Sequence, residues 1–441
     1  GYGFNVAEWD TDRLQAMGFN WMKVFDTPST QQPVNVLLRL DANASHLSDV
    51  TSFANNIESI AINNGAYIDA YEIGNEVNLD ATYGWGYGST NVPPDADDYV
   101  TLLCAVYSKI KAADPTAIVV SAGLAPTGRV AGNWNGHPGH NGLFQDEREY
   151  LIEFVAAGGG NCTDAIGYHP YGYSADFDAA PDVSSGDATQ NCANGFCFRG
   201  VEKFYEVMQA NGLSDRKVWV TECGWITEPP ASCLDDPGWS GRAWQIVSEQ
   251  QQADNLVGSF DYATSNYPWM EAMFIFNLNF NTAPWITDQC EQMRFYGVQG
   301  RPAETALSEM PKVVSVPVGE LTVSPVQWTD VITTGQQPYT SSMAIQLTNS
   351  GDANLSYTIG IDIGTDLTLT LQSPATGLLT PSETNTVTVN IDSAVQTAGQ
   401  YSGGVTITAV SNSISTTQSV NYRLFVFDQL FTTYLPLMSK E

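Results

Sequence analysis

From residue 1 to about residue 310, short runs of apolar and β-branched residues alternate with longer stretches whose apolar positions recur at helical spacing. The short runs predict buried strands, and the longer stretches predict helices. The predicted strands are Gly3–Val6, Trp21–Phe25, Val34–Leu40, Ile68–Gly74, Ala117–Ser121, Ala165–Tyr168, Val218–Thr221 and Ala272–Phe276. The predicted helices are Asp10–Met17, Leu47–Asn63, Ala96–Ala113, Asp146–Ala157, Arg199–Asn211, Gly241–Ser265 and Pro302–Met310.

Strict alternation of strands with helices is typical of a parallel sheet with crossover helices. Eight strands over about 300 residues predict a (β/α)8 TIM barrel, whose functional site lies where the strands end. One crossover helix is missing, because only residues 26–33 separate the second predicted strand from the third. A doubly wound sheet is the alternative, but no G-x-G-x-x-G motif follows the first strand.

The composition changes after Met310. Residues 311–317 have the sequence of a linker, and residues 318–427 are rich in Thr, Val, Ser and Ile with few charges. Short strands at regular spacing predict an immunoglobulin-like β-sandwich. This region resembles the accessory sandwiches of many secreted bacterial glycosidases, and the resemblance implies either a packing or spacer module or a glycan-binding module. Its only Trp is Trp328. The predicted domains are the barrel at 1–312, the sandwich at 313–428 and a C-terminal tail at 429–441.

The negative net charge of the chain limits the kinds of molecule that it is expected to bind. A net charge of -31 over 441 residues argues against binding to nucleic acid or to anionic membranes, and it disfavours a strongly anionic polymer as substrate. No apolar run is long enough to predict a membrane-spanning helix. The chain begins at Gly1 directly in strand-like sequence, which indicates a processed N-terminus. The oligomeric state is left open.

The seven Cys and four His lack the spacing of a zinc site, so disulfides of a secreted protein fit better. The candidate pairs are Cys192 with Cys197 across a short loop, Cys233 with Cys290 in loops of neighbouring strands, and Cys104 with Cys162, which leaves Cys223 free.

Two of the apolar runs end at a glutamate. Residues 71–76, Tyr-Glu-Ile-Gly-Asn-Glu, begin as a buried strand, and strand alternation would put Glu72 and Glu76 on one face. Residues 218–222, Val-Trp-Val-Thr-Glu, end on Glu222 in the same way. A lone Glu at a strand end is usually just an exposed residue. Two of them at the ends of barrel strands form the pair that glycoside hydrolysis uses.

With Asn75 and Glu76 on strand four and Glu222 on strand seven, residues 1–310 resemble the clan A retaining glycoside hydrolases, such as families 5 and 39. The resemblance implies a secreted β-glycosidase, endoglucanase-like or related, that acts on a carbohydrate without a cofactor or metal. Glu76 would be the acid/base and Glu222 the nucleophile, with their carboxyl groups roughly 5–5.5 Å apart. The segment around Thr221 and Glu222 is also similar to the β-1,3-glucanases of family 17.

The same resemblance implies further contacts. Asn75 would hydrogen-bond the 2-hydroxyl of the sugar or cap its loop. His169 and Tyr171 match a His-x-Tyr pattern of family 5 in which the Tyr hydroxyl holds the nucleophile and the His lines the cleft. Lys23 stands where family 5 has an Arg on strand two, and it is assigned to the substrate-binding residues. Because Lys lacks the planar fork of Arg, the usual contact that orients the nucleophile is not expected in the same form.

Other residues are assigned from their place on the predicted strands and loops. Arg39 and Glu72 are interpreted as a structural ion pair inside the barrel. The clan A glycosidases commonly place a Trp under the sugar near the end of strand eight, so the resemblance implies Trp285 as a sugar platform and Asn277 as a hydrogen-bond donor at that strand end. Trp225, directly after the nucleophile strand, is a further predicted substrate contact. Trp85 and Trp134 lie in Gly-rich loops and would either line further subsites or pack within those loops.

Two other functions compete with hydrolysis of a β-glycan. A barrel that recognises glycans without turnover is disfavoured because both carboxylates are present. A metal-dependent barrel hydrolase is disfavoured because no two His have ligand spacing at a strand end, and His137 and His140 lie in a Gly-rich loop. The sugar, the linkage and the choice between endo and exo cleavage stay open.

Overall fold

The computed structural model describes the chain in eleven stretches. They are residues 1–80, 84–87, 92–129, 143–181, 191–312, 319–336, 338–351, 353–362, 367–393, 397–411 and 414–429. The chain divides into two compact units, residues 1–312 and residues 313–441.

The first unit contains a closed barrel of eight parallel strands, in which each strand pairs with the next and β8 pairs with β1. The strands are β1 (Tyr2–Asn5), β2 (Trp21–Val24), β3 (Asn35–Leu40), β4 (Ala70–Ile73), β5 (Ile118–Ser121), β6 (Ala165–Tyr168), β7 (Lys217–Cys223) and β8 (Met270–Ile275). Every residue of β2, β4 and β6 is buried, as expected for parallel strands covered on both faces. The predicted barrel and its eight strands are confirmed.

The described part of this unit contains helices between the strands and after β8, and two short helices in the loop after β7. They are α1 (Thr11–Ala16), α2 (Val50–Asn64), α3 (Ala96–Ala113), α4 (Glu147–Ala156), α5 (Gly200–Ala210), α6 (Ala231–Leu234), α7 (Pro237–Ser240), α8 (Glu249–Asn266) and α9 (Pro302–Glu309). Residues 25–34, all of them described, contain no helix, so the predicted gap in the alternation is confirmed.

The helix predicted to begin at Gly241 begins at Glu249 instead. The amide of Gln251 donates to Ser248 Oγ at 3.1 Å, and the amide of Ser248 donates to Gln251 Oε1 at 3.0 Å. This capping box gives partners to amides that a first helical turn leaves unpaired, so it fixes the start of α8. Residues 241–248 form an irregular segment with a 3₁₀ turn at Ala243–Gln245, and part of it reaches the mouth of the barrel.

Apolar side chains fill the barrel interior toward the N-terminal ends of the strands. They are Trp21, Leu37, Ala70, Val120, Ala165, Trp219, Ala272 and Phe274. The rings of Trp21 and Trp219 meet edge to face with centroids 5.2 Å apart. A closed apolar floor leaves the C-terminal ends of the strands as the place for polar chemistry.

The second unit is a β-sandwich, as predicted. One sheet has the order β10-β17-β16-β12-β14 and the other has the order β13-β15-β11-β9. The strands are β9 (Leu321–Ser324), β10 (Gln327–Thr333), β11 (Tyr339–Asn349), β12 (Leu355–Asp362), β13 (Leu367–Leu371), β14 (Thr376–Leu379), β15 (Thr384–Ser393), β16 (Gly399–Ser411) and β17 (Ile414–Phe427). Alternate residues of β11 are buried from Met343 to Leu347, so each sheet presents one face to a shared core.

The three predicted disulfides are confirmed, and the remaining cysteine is free and buried. The bonds join Cys104 to Cys162, Cys192 to Cys197 and Cys233 to Cys290, and the free thiol is that of Cys223. Within the described residues, no helix combines the length and the apolar character that crossing a membrane requires.

Candidate active site

A cavity of about 440 Å³ lies at the C-terminal ends of the barrel strands. Its wall includes Arg39 at the end of β3, Asn75 and Glu76 after β4, and Glu222 on β7. One carboxylate oxygen of Glu76 and one of Glu222 lie within 4.8 Å of each other. The fold therefore brings together two carboxylates that are far apart in the sequence, at the end of the barrel where such sites form.

Glu76 reaches the cavity through a turn rather than along a strand. β4 ends at Ile73, and the next residues include Gly74 at φ 87° and Glu76 at φ 41°, both in the left-handed region. The amide of Glu76 donates to the carbonyl of Gly123 at 2.9 Å, which fixes this turn against the end of β5. The expectation that Glu76 shares a strand face with Glu72 is wrong, because the strand has already ended.

Glu222 is buried on β7 and is held from both sides of its carboxylate. Lys23 Nζ lies 3.1 Å from Oε1, and the Tyr171 hydroxyl donates to Oε2 at 2.8 Å. Burial alone would raise the pKa of Glu222, but the positive charges of Lys23 and His169 outweigh burial and lower it. The Glu222 carboxylate is thus kept ionised and oriented toward the cavity.

Lys23 lies below the cavity, fully buried, between two carboxylates. Its Nζ is 2.6 Å from Glu72 Oε2, and Glu72 is fully buried as well. Burial alone would raise the pKa of Glu72, but the charge of Lys23 and the contact with His169 lower it to about 2. Lys23 is therefore a positioning residue for Glu222, and the prediction that it binds substrate directly is wrong.

His169 connects the two sides of the site from beneath. Its Nδ1 is 3.0 Å from Glu76 Oε1 and its Nε2 is 3.0 Å from Thr221 Oγ1. Burial alone would lower the pKa of His169, but the charge of Glu222 and contacts with other carboxylates raise it to about 9. His169 is fully buried and does not line the cavity, so the expectation that it lines the cleft is wrong.

The imidazole of His169 needs a glycine beside it. A Cβ on Gly123 would lie 2.1 Å from His169 Nε2 and 2.6 Å from Thr221 Oγ1. Any side chain at Gly123 would push the ring out of its place under Glu76. This glycine thus allows the close approach on which the geometry of the site depends.

Glu76, His169 and Glu222 each offer one ligand atom, and these three atoms lie within 4.8 Å of one another. A metal ion there would require a neutral imidazole with a free ring nitrogen. Both ring nitrogens of His169 already have hydrogen-bonding partners, and its raised pKa favours the charged form. The donor set therefore fits a hydrogen-bonded network better than a metal centre.

Aromatic side chains form much of the cavity wall. Trp285 is 55% exposed and lines the cavity in the loop after β8, where a platform was predicted. Trp244 stacks on Tyr173 with centroids 5.3 Å apart and planes 7° from parallel. Flat rings in a cavity wall offer the apolar faces on which sugar rings pack.

Two predicted substrate contacts do not line the cavity. Trp225 is fully buried, and its Nε1 donates to the carbonyl of Ala175 at 2.8 Å. Asn277 is fully buried as well; its Nδ2 donates to the carbonyl of Met293 at 2.8 Å, and its Oδ1 accepts from the amide of Phe280 at 3.0 Å. Both predictions are wrong, because these buried side chains tie loops together and neither of them lines the cavity.

The remaining sequence predictions concern the Arg39–Glu72 ion pair and residues of the Gly-rich loops. The predicted pair of Arg39 with Glu72 is wrong, because Arg39 pairs with Asp41 at 3.1 Å while Glu72 pairs with Lys23. Trp85 is 1% exposed and packs edge to face on Tyr99, so it belongs to the core. Trp134, His137 and His140 lie outside the described residues.

The sequence interpretation missed part of the wall. Arg242, Trp244 and Gln245 line the cavity from a segment that was assigned to a helix, and Tyr296 lines it from the loop after β8. The Ser-x-x-Gln capping signal at residue 248 was the available indication that this segment is not helical.

The comparisons with known proteins give distant similarities only. No family model matches the chain, and no curated protein matches it. The structure of a β-glucuronidase from Bacteroides uniformis is 13% identical over 95% of this chain, with a TM-score of 0.41, and this chain spans 43% of its length. A PapD-like domain of human CEP192 is 13% identical over 27% of this chain and 94% of that chain, with a TM-score of 0.21. The periplasmic chaperone SfaE is 11% identical over 24% of this chain and 57% of that chain, with a TM-score of 0.19.

Proposed function

We propose that the chain is a secreted retaining β-glycosidase, with Glu222 as nucleophile and Glu76 as acid/base. The observation that carries the proposal is the closeness of the two carboxylates, with one oxygen of each within 4.8 Å of the other. Retaining enzymes place their carboxyl groups about 5–5.5 Å apart, whereas inverting enzymes need about 6.5–9.5 Å to admit a water. The spacing therefore supports a covalent glycosyl-enzyme.

The environments of the two carboxylates support different roles. Lys23 and the Tyr171 hydroxyl each contact one carboxylate oxygen of Glu222, so the carboxylate stays anionic and is held in one orientation. Its Oε attacks the anomeric carbon, and the bond from that carbon to the glycosidic oxygen breaks. Glu76, whose side chain is 23% exposed, gives its proton to the departing oxygen. The leaving group thus departs as a neutral alcohol.

The second step reverses these roles. Water enters from the cavity, Glu76 accepts one of its protons, and the resulting oxygen attacks the anomeric carbon. The bond between that carbon and Glu222 breaks, which restores the carboxylate beside Lys23. His169 stays below the reacting atoms and holds Glu76 through the 3.0 Å contact with Oε1. Two inversions at the anomeric carbon give net retention.

Other features fit a carbohydrate substrate outside the cell. Trp285 and the stacked pair of Trp244 and Tyr173 supply flat apolar surfaces in the cavity wall. Three disulfides are typical of a protein from an oxidising compartment. We assign catalysis to the barrel at residues 1–312 and an accessory role to the sandwich at 313–428.

The test compares wild type with Glu222→Gln and Glu76→Gln on β-glucans, xylan, mannan, galactan and their aryl β-glycosides. Loss of the general acid should reduce kcat by about 100- to 10,000-fold, and loss of the nucleophile should reduce it further. Glu206→Gln, on the exposed face of α5, is the matched control and should retain full activity.

The anomeric form of the first product, followed by NMR, tests retention. Early release of the β-anomer supports double displacement, and early release of the α-anomer contradicts it. If no member of the panel is cleaved while one still binds, the barrel is a glycan-binding protein and the proposal is wrong. Activity that survives in Glu222→Gln would remove Glu222 from the role of nucleophile.

A further inference from the structure

Two arginines line the cavity of a protein whose net charge is -31. The guanidinium of Arg39 is neutralised, because it lies 3.1 Å from Asp41 and over the ring of Phe25 at 4.6 Å from the centroid. Arg242 is different. It is half-buried, and no carboxylate of the described residues lies within ion-pair distance of it. In so acidic a chain, a cation left without an anion inside the cavity needs a separate explanation.

Arg242 lies close to the reacting pair. Arg242 and Tyr296 both line the cavity, and the side chain of Arg242 is hydrogen-bonded to that of Tyr296. The ring of Tyr296 is 5.4 Å from that of Tyr171, whose hydroxyl holds Glu222. Arg242 and Glu222 thus line the same cavity and are connected through the neighbouring side chains of Tyr296 and Tyr171, so a sugar bound over Glu222 has Arg242 in the same wall.

The segment that carries Arg242 is held in place before any ligand binds. The amide of Arg242 donates to the carbonyl of Trp239 at 2.9 Å, and Trp239 Nε1 donates to the carbonyl of Cys290 at 2.8 Å. Cys290 is joined by a disulfide to Cys233 of α6, so the loops after β7 and β8 are covalently connected. A preorganised cation avoids much of the ordering cost of binding.

We propose that Arg242 binds a carboxylate carried by the sugar, so that the substrates of this cavity are β-glycosides that contain a uronic acid. The inference rests on the proposed glycosidase function. The planar guanidinium offers paired N–H groups that match the two oxygens of a carboxylate.

The overall acidity of the chain does not oppose this contact. Charges separated by more than about 8 Å are largely screened at physiological ionic strength. The net charge therefore slows the approach of a polyanion, whereas a single carboxylate inside the cavity interacts mainly with the nearest cation. The expectation that a strongly anionic polymer is disfavoured applies to long uniform polyanions, and a glycan with isolated uronic acids falls outside it.

The experiment measures kcat/KM for matched neutral and acidic substrates. The pairs are 4-nitrophenyl β-glucoside with the β-glucuronide, 4-nitrophenyl β-galactoside with the β-galacturonide, and β-glucan oligosaccharides with their C6-oxidised forms. Wild type should prefer one acidic member by about 10- to 100-fold, the range that a hydrogen-bonded charge contributes. Arg242→Gln should bring that ratio close to 1, mainly through a higher KM.

Two further variants locate the effect. Lys217→Gln removes one positive charge at the exposed N-terminal start of β7, away from the cavity, and should leave the ratio unchanged. Arg242→Lys keeps the charge without the fork and should retain only part of the preference.

The outcomes separate this inference from the function on which it rests. Hydrolysis of neutral members with no acidic preference, or a preference that survives in Arg242→Gln, overturns the uronic acid assignment and leaves the glycosidase intact. A stronger preference for a 6-sulfated glycoside also overturns it, because the anion would then be a sulfate. Failure to cleave any member, neutral or acidic, overturns the glycosidase proposal itself.

Discussion

Replacing Lys23 by Met removes the cation at the centre of the buried network while keeping a side chain of similar length. Lys23 Nζ lies 2.6 Å from Glu72 and 3.1 Å from Glu222, and the Lys23 and Glu72 side chains have no exposed surface. In wild type, the charges of Lys23 and His169 balance those of Glu72 and Glu222. In Lys23→Met, the single positive charge of His169 is left to balance the negative charges of Glu72 and Glu222.

Removing one partner of a buried ion pair typically costs about 3–5 kcal/mol, because the other charge is left uncompensated. We expect the free energy of unfolding of Lys23→Met to fall by about that amount. The pKa of Glu222 should also rise, since the charge of Lys23 is the main influence that lowers it against burial. The acid limb of the profile of kcat/KM against pH should therefore move to higher pH.

The measurements are urea denaturation at neutral pH and the pH dependence of kcat/KM. The double variant Lys23→Met with Glu72→Gln is the control, because it removes one charge of each sign and leaves Glu222 balanced by His169. It should recover most of the lost stability, since a buried pair can often be replaced by neutral groups at little cost. A single variant within about 1 kcal/mol of wild type, or a double variant no better than the single, would refute this charge balance.

Three other properties can be tested in the same way. Tyr171→Phe removes the hydroxyl that donates to Glu222 at 2.8 Å, and we expect kcat/KM to fall about 10-fold or more with an unchanged urea midpoint; full activity would contradict the contact. The pKa of His169 is raised from 6.5 to about 9, so its charged form stabilises the fold, and the free energy of unfolding should fall by at most about 3 kcal/mol as the pH rises between those values. In His169→Asn the free energy of unfolding should change little over the same pH range, and an unchanged pH dependence would contradict this assignment. Changing Cys104 and Cys162 to Ser opens a crosslink between residues 58 apart and should lower the free energy of unfolding by about 2–4 kcal/mol; an unchanged urea midpoint would count against it.

The parts of the fold that follow from local pattern could be predicted. All eight strands were placed because buried parallel strands are short, apolar and bounded by polar turns. The position of Glu222 follows from that count, since it lies on a strand whose neighbours have recognisable patterns. The sequence placed Glu76 at the correct end of the barrel. It did not predict that Glu76 follows the strand in a turn with left-handed backbone at Gly74 and Glu76.

The orientation of single side chains in loops could not be predicted in this way. Trp225 and Trp285 are both tryptophans that follow a barrel strand, yet one is fully buried and the other is 55% exposed. Which of them faces the cavity depends on contacts with other loops, such as the carbonyl of Ala175 that accepts from Trp225. Arg242 was missed for a related reason, because its segment has a composition compatible with the helix that follows it.

The replacement of Arg by Lys on β2 makes sense once its neighbours are known. An ammonium group has three donors, and Lys23 Nζ has three oxygens around it: Glu72 at 2.6 Å, Glu222 at 3.1 Å and the carbonyl of Thr221 at 3.4 Å. An Arg in the same fully buried place would bring five donors in a rigid fork, which is more than these acceptors can satisfy. Glu72 was interpreted as a partner of Arg39, but it makes a compact cation suitable here, because it balances the charge that Lys23 adds below the nucleophile. Lys23 and Glu72 therefore act as a unit: Lys23 lowers the pKa of Glu222, and Glu72 balances the charge that Lys23 buries, so either one alone would leave an unbalanced charge under the cavity.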